Sequence, residues 1–283
     1  MGSHIVIVAG PTASGKSARA LSLAQKHGGV IINADSQQLY QELRVVTARP
    51  SAEEEALVPH KLYGFLSGAQ SCSAGKWLIW AKMEIDWALS HGLTPIVVGG
   101  TGLYLKALMQ GIAAIPDIDA AVRAQAANDY EAMGKEAFIE RLRAVDPAFF
   151  ERLKVYDRQR LIRAYEVWLG SGKPLSFWQQ QTAASAYAPE QFQLERVEID
   201  RETLYQRCNA RFLAMIEQGA IDEVKQLLLM NLPADMPVMK SLGVPELSAY
   251  IQGKIPLETA IEKAQQTTRN YAKRQLTWFR HQL

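Results

Sequence analysis

Two cysteines in 283 residues, Cys72 and Cys208, lie far apart and outside any C-x-x-C spacing. That excludes a disulfide framework and a cysteine-based zinc site. No apolar run approaches the roughly 20 residues of a membrane span, and Ile5 to Ala9 is too short for the core of a secretory signal. A cytoplasmic protein without a membrane partner is therefore expected. Charge of one sign is also lacking overall, since the net charge is only +2, which argues against a uniformly basic nucleic-acid coat. No internal repeat is present, and the only compositionally biased stretch is the Ala/Ser-rich segment Thr182 to Ala188.

At 48% hydrophobic and 21% charged, the chain can bury a substantial core in one large or two modest domains. Its most informative stretch is Gly10-Pro11-Thr12-Ala13-Ser14-Gly15-Lys16-Ser17, which fits G-x-x-x-x-G-K-[ST] and follows the apolar run Ile5 to Ala9. In such a strand, glycine loop and helix start, backbone N–H groups converge on phosphate oxygens. The lysine neutralises charge farther along the phosphate chain, and the hydroxyl of Ser17 is placed to ligate Mg²⁺. The ligand should carry a diphosphate or longer.

A phosphate loop does not say what happens to the phosphate. The segment from Gly29 to Tyr40 reads as a second buried strand delivering Asp35, Ser36, Gln37 and Gln38 to its carboxyl end, where open α/β sheets bind ligands. From the residues alone Asp35 serves equally as the N-cap of a following helix. A third strand, Thr94 to Val98, runs into Gly99-Gly100-Thr101-Gly102, whose missing side chains let backbone approach a ligand or another strand.

Strands alternating with helical patterns through about residue 110 predict a parallel, helix-covered sheet. Ile118 to Trp168 lacks convincing strands and reads as a helical insert, while Gln193 to Ile199 alternates apolar and polar at period two, so the sheet is expected to resume there. The expected division is 1–115 with 190–283 as the core domain and 116–189 as the insert. Basic residues cluster on selected segments: Arg141 to Arg163 in the insert holds seven Lys/Arg against three Asp/Glu, and Lys263 to Leu283 in the core domain holds five against none.

The phosphate loop, the Asp35-Ser36-Gln37-Gln38 segment and the glycine turn before Thr101 together resemble the bacterial tRNA dimethylallyltransferases, also called tRNA isopentenyltransferases. So do Asp157-Arg158-Gln159-Arg160-Leu161-Ile162-Arg163, Leu204-Tyr205-Gln206-Arg207, Lys240-Ser241-Leu242-Gly243 and Lys273-Arg274-Gln275-Leu276-Thr277-Trp278-Phe279-Arg280. The resemblance spans nearly the whole chain. It implies a P-loop NTPase-like parallel sheet covered by helices, with a helical insert domain that contacts tRNA. It also implies transfer of a dimethylallyl group from dimethylallyl diphosphate to N6 of the adenosine 3′-adjacent to the anticodon. Val46-Thr47-Ala48-Arg49-Pro50, His60 to Gly64, Cys72 to Trp77 and Val244-Pro245 depart from the family's pattern, and none of them removes a residue assigned to chemistry.

Alkylating an exocyclic amine requires a stabilised leaving group, a positioned nucleophile and a proton acceptor. Gly10 to Ser17 with Lys16 and Mg²⁺ would hold the departing diphosphate, and Asp35 would accept the amine proton, the role the resemblance also gives it. Thr101 would sit beside the transferred group. Arg207 and Arg211, four apart in a helix, share a face that suits a diphosphate clamp, and the Leu-Tyr-x-Arg resemblance favours Arg207. The target base must leave its stack to reach a buried carboxylate, so Asp35, Ser36, Gln37, Gln38 and Thr101 are expected to hold it, with Gln38 able to read an adenine edge. Arg123, Gln159, Arg160, Leu161, Ile162 and Arg163 would grip the anticodon stem-loop. A monomer is expected. The rival readings are a P-loop nucleotide kinase, an isopentenyltransferase acting on free adenine nucleotides, and an RNA-binding protein regulated by nucleotide.

Overall fold

The computed structural model describes residues 4–152, 156–181 and 183–283. Contacts divide the chain into two compact units, Met1–Met109 with Tyr187–Leu283, and Gln110–Ala186.

In the first unit a five-stranded sheet has the order β3-β2-β4-β1-β5, with β1 at Ile5–Ala9, β2 at Gly29–Asn33, β3 at His60–Lys61, β4 at Thr94–Gly99 and β5 at Phe192–Arg196. Every pairing is parallel. β1 and β2 are buried at all five positions, which is why they read as unbroken apolar runs and not as alternation. β5, at the edge beside β1, has no fully buried position, and its sequence accordingly mixes apolar with polar residues.

Helices α1 (Lys16–His27), α2 (Ala52–Leu57), α3 (Ala74–Ser90) and α4 (Gly102–Gln110) precede the second unit. Val6, Val8, Ile31, Ile96 and Val98 form one apolar cluster with Ala20, Leu23 and Ala24 of α1. On α3, Trp77, Ala81, Ile85 and Ala88 recur at helical spacing and are buried, and α3 packs on β2 and β4. The indole of Trp77 donates to Asn33 O at 2.8 Å and stacks on Tyr104 at 4.5 Å.

The second unit is helical: α5 (Ala120–Met133), α6 (Lys135–Val145), α7 (Pro147–Arg152), α8 (Arg158–Ser171) and α9 (Leu175–Gln180). Its core is Ala126, Phe138, Leu142, Phe149, Leu161, Ile162, Ala164, Tyr165, Val167 and Leu175. Asp146 is buried, and its two oxygens accept the N–H groups of Phe149 and Ser176 at 3.1 and 3.0 Å, pinning α7 to α9.

The chain returns to the first unit with α10 (Arg201–Glu217), α11 (Ala220–Leu229), α12 (Val244–Ile251) and the long α13 (Leu257–Gln282). On α13 the buried positions are Ala260, Ala264, Thr268, Ala272, Gln275 and Phe279. That is one stripe at spacings of three and four, and its small residues let α13 lie close on α10 and α12. Among the described residues no helix is long and apolar enough to cross a membrane.

Candidate functional site

Because β4 lies between β1 and β2, the carboxyl ends of these three strands are neighbours. They deliver the phosphate loop, the Asp35 turn and the Gly99–Thr101 turn to one place, the position where parallel sheets bind ligands.

The loop from Gly10 to Ser17 curls back so that Ser14 N donates to Pro11 O at 3.2 Å. Gly15 has φ +95°, a conformation that side chains resist, and opens α1. Lys16 is 8% exposed, and burial pushes its pKa down while the Asp35 carboxylate opposes the shift. Ser14 is also buried, and its hydroxyl has no hydrogen-bond partner among the described residues. From α10, Arg211 donates to the hydroxyl of Thr12 and Arg207 donates to Ser14 O at 3.3 Å. Burial lowers the Arg211 pKa as well, with Asp35 among the charges opposing it. Arg207, in contrast, is exposed. Lys16 is thus a buried cation and Arg211 a partly buried one, each feeling Asp35, and an anionic ligand with several acceptor oxygens would satisfy both them and Ser14.

The Asp35 turn is organised by its neighbours. Asn33 accepts Asp35 N–H at 2.8 Å and donates to Asp35 O and Leu62 O at 3.0 Å each. Asp35 is 7% exposed, and one of its oxygens accepts Gln37 N–H at 3.1 Å. Ser36 to Leu39 form turns, not a helix, so Asp35 is not a helix N-cap. The hydroxyl of Thr101 accepts Ser36 N–H at 2.9 Å and donates to Ser36 Oγ at 3.1 Å. Gly99 allows this approach, since a Cβ there would stand 2.1 Å from the backbone of Ala34.

A cleft opens beside these groups, lined by polar Thr12, Asp35, Gln37 and Arg211, by apolar Val46, Phe212, Met215 and Leu242, and by Tyr271 and Cys208. Burial raises the Tyr271 pKa, with Asp35 adding to the shift, and its hydroxyl interacts with Gln37 and Thr101. The lining therefore offers contacts both to a charged group and to a short apolar one.

Two of the expected base-holding residues have structural duties. Gln38 donates through its amide nitrogen to Thr47 O and Ala48 O at 2.9 and 2.8 Å, so its donors are committed to the loop and only its carbonyl oxygen remains for a ligand. The Gln37 carbonyl oxygen accepts Leu242 N–H at 3.0 Å.

In the second unit, Leu161 and Ile162 were expected among the RNA-contacting residues, but their side chains lie in the apolar core, because the inward face of α8 must be covered. Gln159, Arg160 and Arg163 line a groove with Phe149, Asp157, Leu175 and Gln179. Glu166 is buried and holds Arg123 at 3.1 Å and Arg163 at 2.5 Å. Arg160 makes no ion pair among the described residues.

Two residues of this architecture were not singled out from the sequence. Gln275 lies in a segment of motif resemblance, but nothing in the string says that it turns inward. Glu223 carries no signal at all. Its carboxylate accepts the N–H groups of Arg44, Val45 and Val46 at 2.6, 2.8 and 2.8 Å, and so sets the segment that brings Val46 and Thr47 to the cleft. Glu223→Ala is expected to cost about 1–3 kcal/mol through unpaired backbone donors, with Glu223→Gln costing less; thermal unfolding of both variants checks this.

The family model described as IPP transferase matches residues 38–282, and that described as isopentenyl transferase matches residues 3–63. A tRNA dimethylallyltransferase of Rhodospirillum centenum is 50% identical over 281 residues, covering 99% of this chain and 89% of the relative. One of Phenylobacterium zucineum is 50% identical over 283 residues, covering 100% and 91%. Among solved structures, a tRNA isopentenylpyrophosphate transferase of Staphylococcus epidermidis aligns with a TM-score of 0.69 at 33% identity, over 100% of this chain and 91% of that one. A eukaryotic dimethylallyltransferase acting on tRNA aligns with a TM-score of 0.82 at 25% identity, over 98% and 70%. With a phosphate loop, a buried aspartate and a half-apolar cleft at adjoining strand ends, and with matches of this extent, the chain belongs to the tRNA dimethylallyltransferase family.

Proposed function

We propose that this chain transfers a dimethylallyl group from dimethylallyl diphosphate to N6 of the adenosine 3′-adjacent to the anticodon of tRNA, releasing diphosphate. The observation that carries this reading is a cleft lined by Thr12 of the phosphate loop, Arg211 and the buried carboxylate of Asp35, with the buried Lys16 of the same loop in electrostatic reach of Asp35.

The diphosphate lies against the loop N–H groups, Lys16, Ser14 and Arg211, with Arg207 propping the loop from the solvent side. As the allylic C–O bond lengthens, charge accumulates on the diphosphate oxygens, and these donors are already aimed there. The five-carbon group lies against the apolar residues of the cleft. The N6 lone pair forms the new C–N bond, and the amine proton, acidic once that bond forms, passes to Asp35. Thr101, through Ser36, keeps the Asp35 turn in place. Ser17 at the start of α1 suits Mg²⁺, which takes one or two hard oxygen ligands from protein and the rest from phosphate and water. Bound there, Mg²⁺ would neutralise charge on the leaving group.

The acceptor base leaves its stack to reach Asp35, and Arg123, Gln159, Arg160 and Arg163 contact the anticodon stem-loop. One chain carries the whole set, so a cytoplasmic monomer suffices. Arg160→Ala is expected to weaken tRNA binding and to reduce the slope of log affinity against log salt by about one, the share of one phosphate contact. Arg163→Ala should do the same with an added loss of insert stability, because Glu166 then keeps only Arg123. Unchanged slopes in both would remove the insert from RNA binding. The reading as a whole is tested by offering labelled dimethylallyl diphosphate and Mg²⁺ with tRNA, AMP or ATP. Label on tRNA alone is expected; label on AMP or ATP would transfer the assignment to free nucleotides.

A further inference from the structure

We infer that Gln275, buried on α13, is a positioning residue that sets the distance between the leaving-group half and the proton-acceptor half of the site. The inference rests on the transfer reading above.

The β1–β4 ladder ends at the pair Ala9 and Gly99. Beyond it the two chains diverge, one into the phosphate loop and the other into the turn before Thr101. The Gln275 amide is inserted between them. Its carbonyl oxygen accepts Thr12 N–H at 2.8 Å and its nitrogen donates to Gly100 O at 2.7 Å. One partner is a donor and the other an acceptor, so a flipped amide would oppose donor to donor and acceptor to acceptor; only one orientation satisfies both. The side chain thus stands in for a peptide group and adds a rung where the backbone ladder stops. Room for it exists because residue 100 is glycine: a Cβ there would lie 2.2 Å from the amide nitrogen.

Each end of this rung leads to a group with a chemical role. Thr12 belongs to the phosphate loop and its hydroxyl receives Arg211. Gly100 precedes Thr101, whose hydroxyl holds Ser36 next to Asp35. Gln275 itself is 5% exposed and its amide is engaged by Thr12 and Gly100, so it acts through these neighbours. A transfer in which the breaking C–O bond and the accepting carboxylate flank one carbon–nitrogen pair is sensitive to their spacing, and an error near 1 Å costs about 10²-fold.

The test uses Gln275→Leu, which keeps the shape and removes both bonds, and Gln275→Glu, which keeps the acceptor for Thr12 and loses the donor to Gly100. Single-turnover transfer is measured at saturating dimethylallyl diphosphate and tRNA, beside tRNA affinity and thermal unfolding. Both variants are expected to unfold cooperatively and to bind tRNA within about twofold of wild type, while the transfer step slows by about 10- to 100-fold. A purely structural role would lower the unfolding temperature without this split, so a transfer rate within about twofold of wild type in either folded variant, or failure of both variants to fold, would overturn the inference. A wild-type protein that labels no tRNA would instead overturn the transfer reading itself.

Discussion

Asp35→Asn is expected to slow single-turnover transfer by about 10²- to 10⁴-fold, the usual share of a general base, with tRNA affinity nearly unchanged. The substitution keeps size, and the asparagine carbonyl can still accept the Gln37 N–H that Asp35 accepts at 3.1 Å. What it loses is the oxygen that takes the proton and the negative charge that offsets Lys16 and Arg211. The turn itself should persist, because asparagine, like aspartate, forms the same side-chain bond to the backbone two residues on. Measuring transfer across Mg²⁺ concentrations separates the roles. A carboxylate that served a kinase's metal would show a loss partly relieved by added Mg²⁺, whereas a proton acceptor shows a loss that Mg²⁺ does not repair. Near-normal turnover in Asp35→Asn would end its assignment as the base.

Lys16→Ala is expected to lower kcat/KM for the diphosphate donor by about 10²- to 10³-fold, the cost of removing one preorganised charge partner from a developing anion, again with little change in tRNA binding. Lys16 sits at the mouth of α1, buried and with its pKa pushed down by that burial. An ammonium held against its solvation preference gains most when an anion arrives. The folded variant should be no less stable than wild type, since it removes a desolvated charge. Steady-state kinetics with varied donor, beside thermal unfolding, checks both statements; a wild-type kcat/KM would show that the loop does not hold the leaving group.

The sheet and the two loops at its centre were legible because both are written in local chemistry. Ile5 to Ala9 before G-x-x-x-x-G-K-S announces strand, turn and helix within a dozen residues, and Gly29 to Asn33 before Asp35 announces a second strand end. The return of the sheet at β5 was legible in the alternation from Gln193 onward. Less could be read where partners are far apart in sequence. Gln275 meets Thr12 across 263 positions and Glu223 meets Arg44 across 179, and no periodicity encodes such pairings. Arg207 and Arg211 share a helix face, yet only burial tells that Arg211 lines the cleft while Arg207 stays in solvent. The motif around Arg160 likewise mixes two functions. Leu161 and Ile162 belong to the core while Arg160 and Arg163 face the groove, because a helix turns 100° per residue and a contiguous string cannot all face one partner.

The most direct measurement follows the transferred group to its atom. tRNA is incubated with the protein, labelled dimethylallyl diphosphate and Mg²⁺, then digested to nucleosides and to anticodon-loop fragments. The account predicts a single labelled product, adenosine carrying dimethylallyl on N6, recovered only from the fragment containing the residue 3′ of the anticodon. Label on another nucleoside, on another position of the tRNA, or on free AMP or ATP with tRNA left unmodified would contradict it.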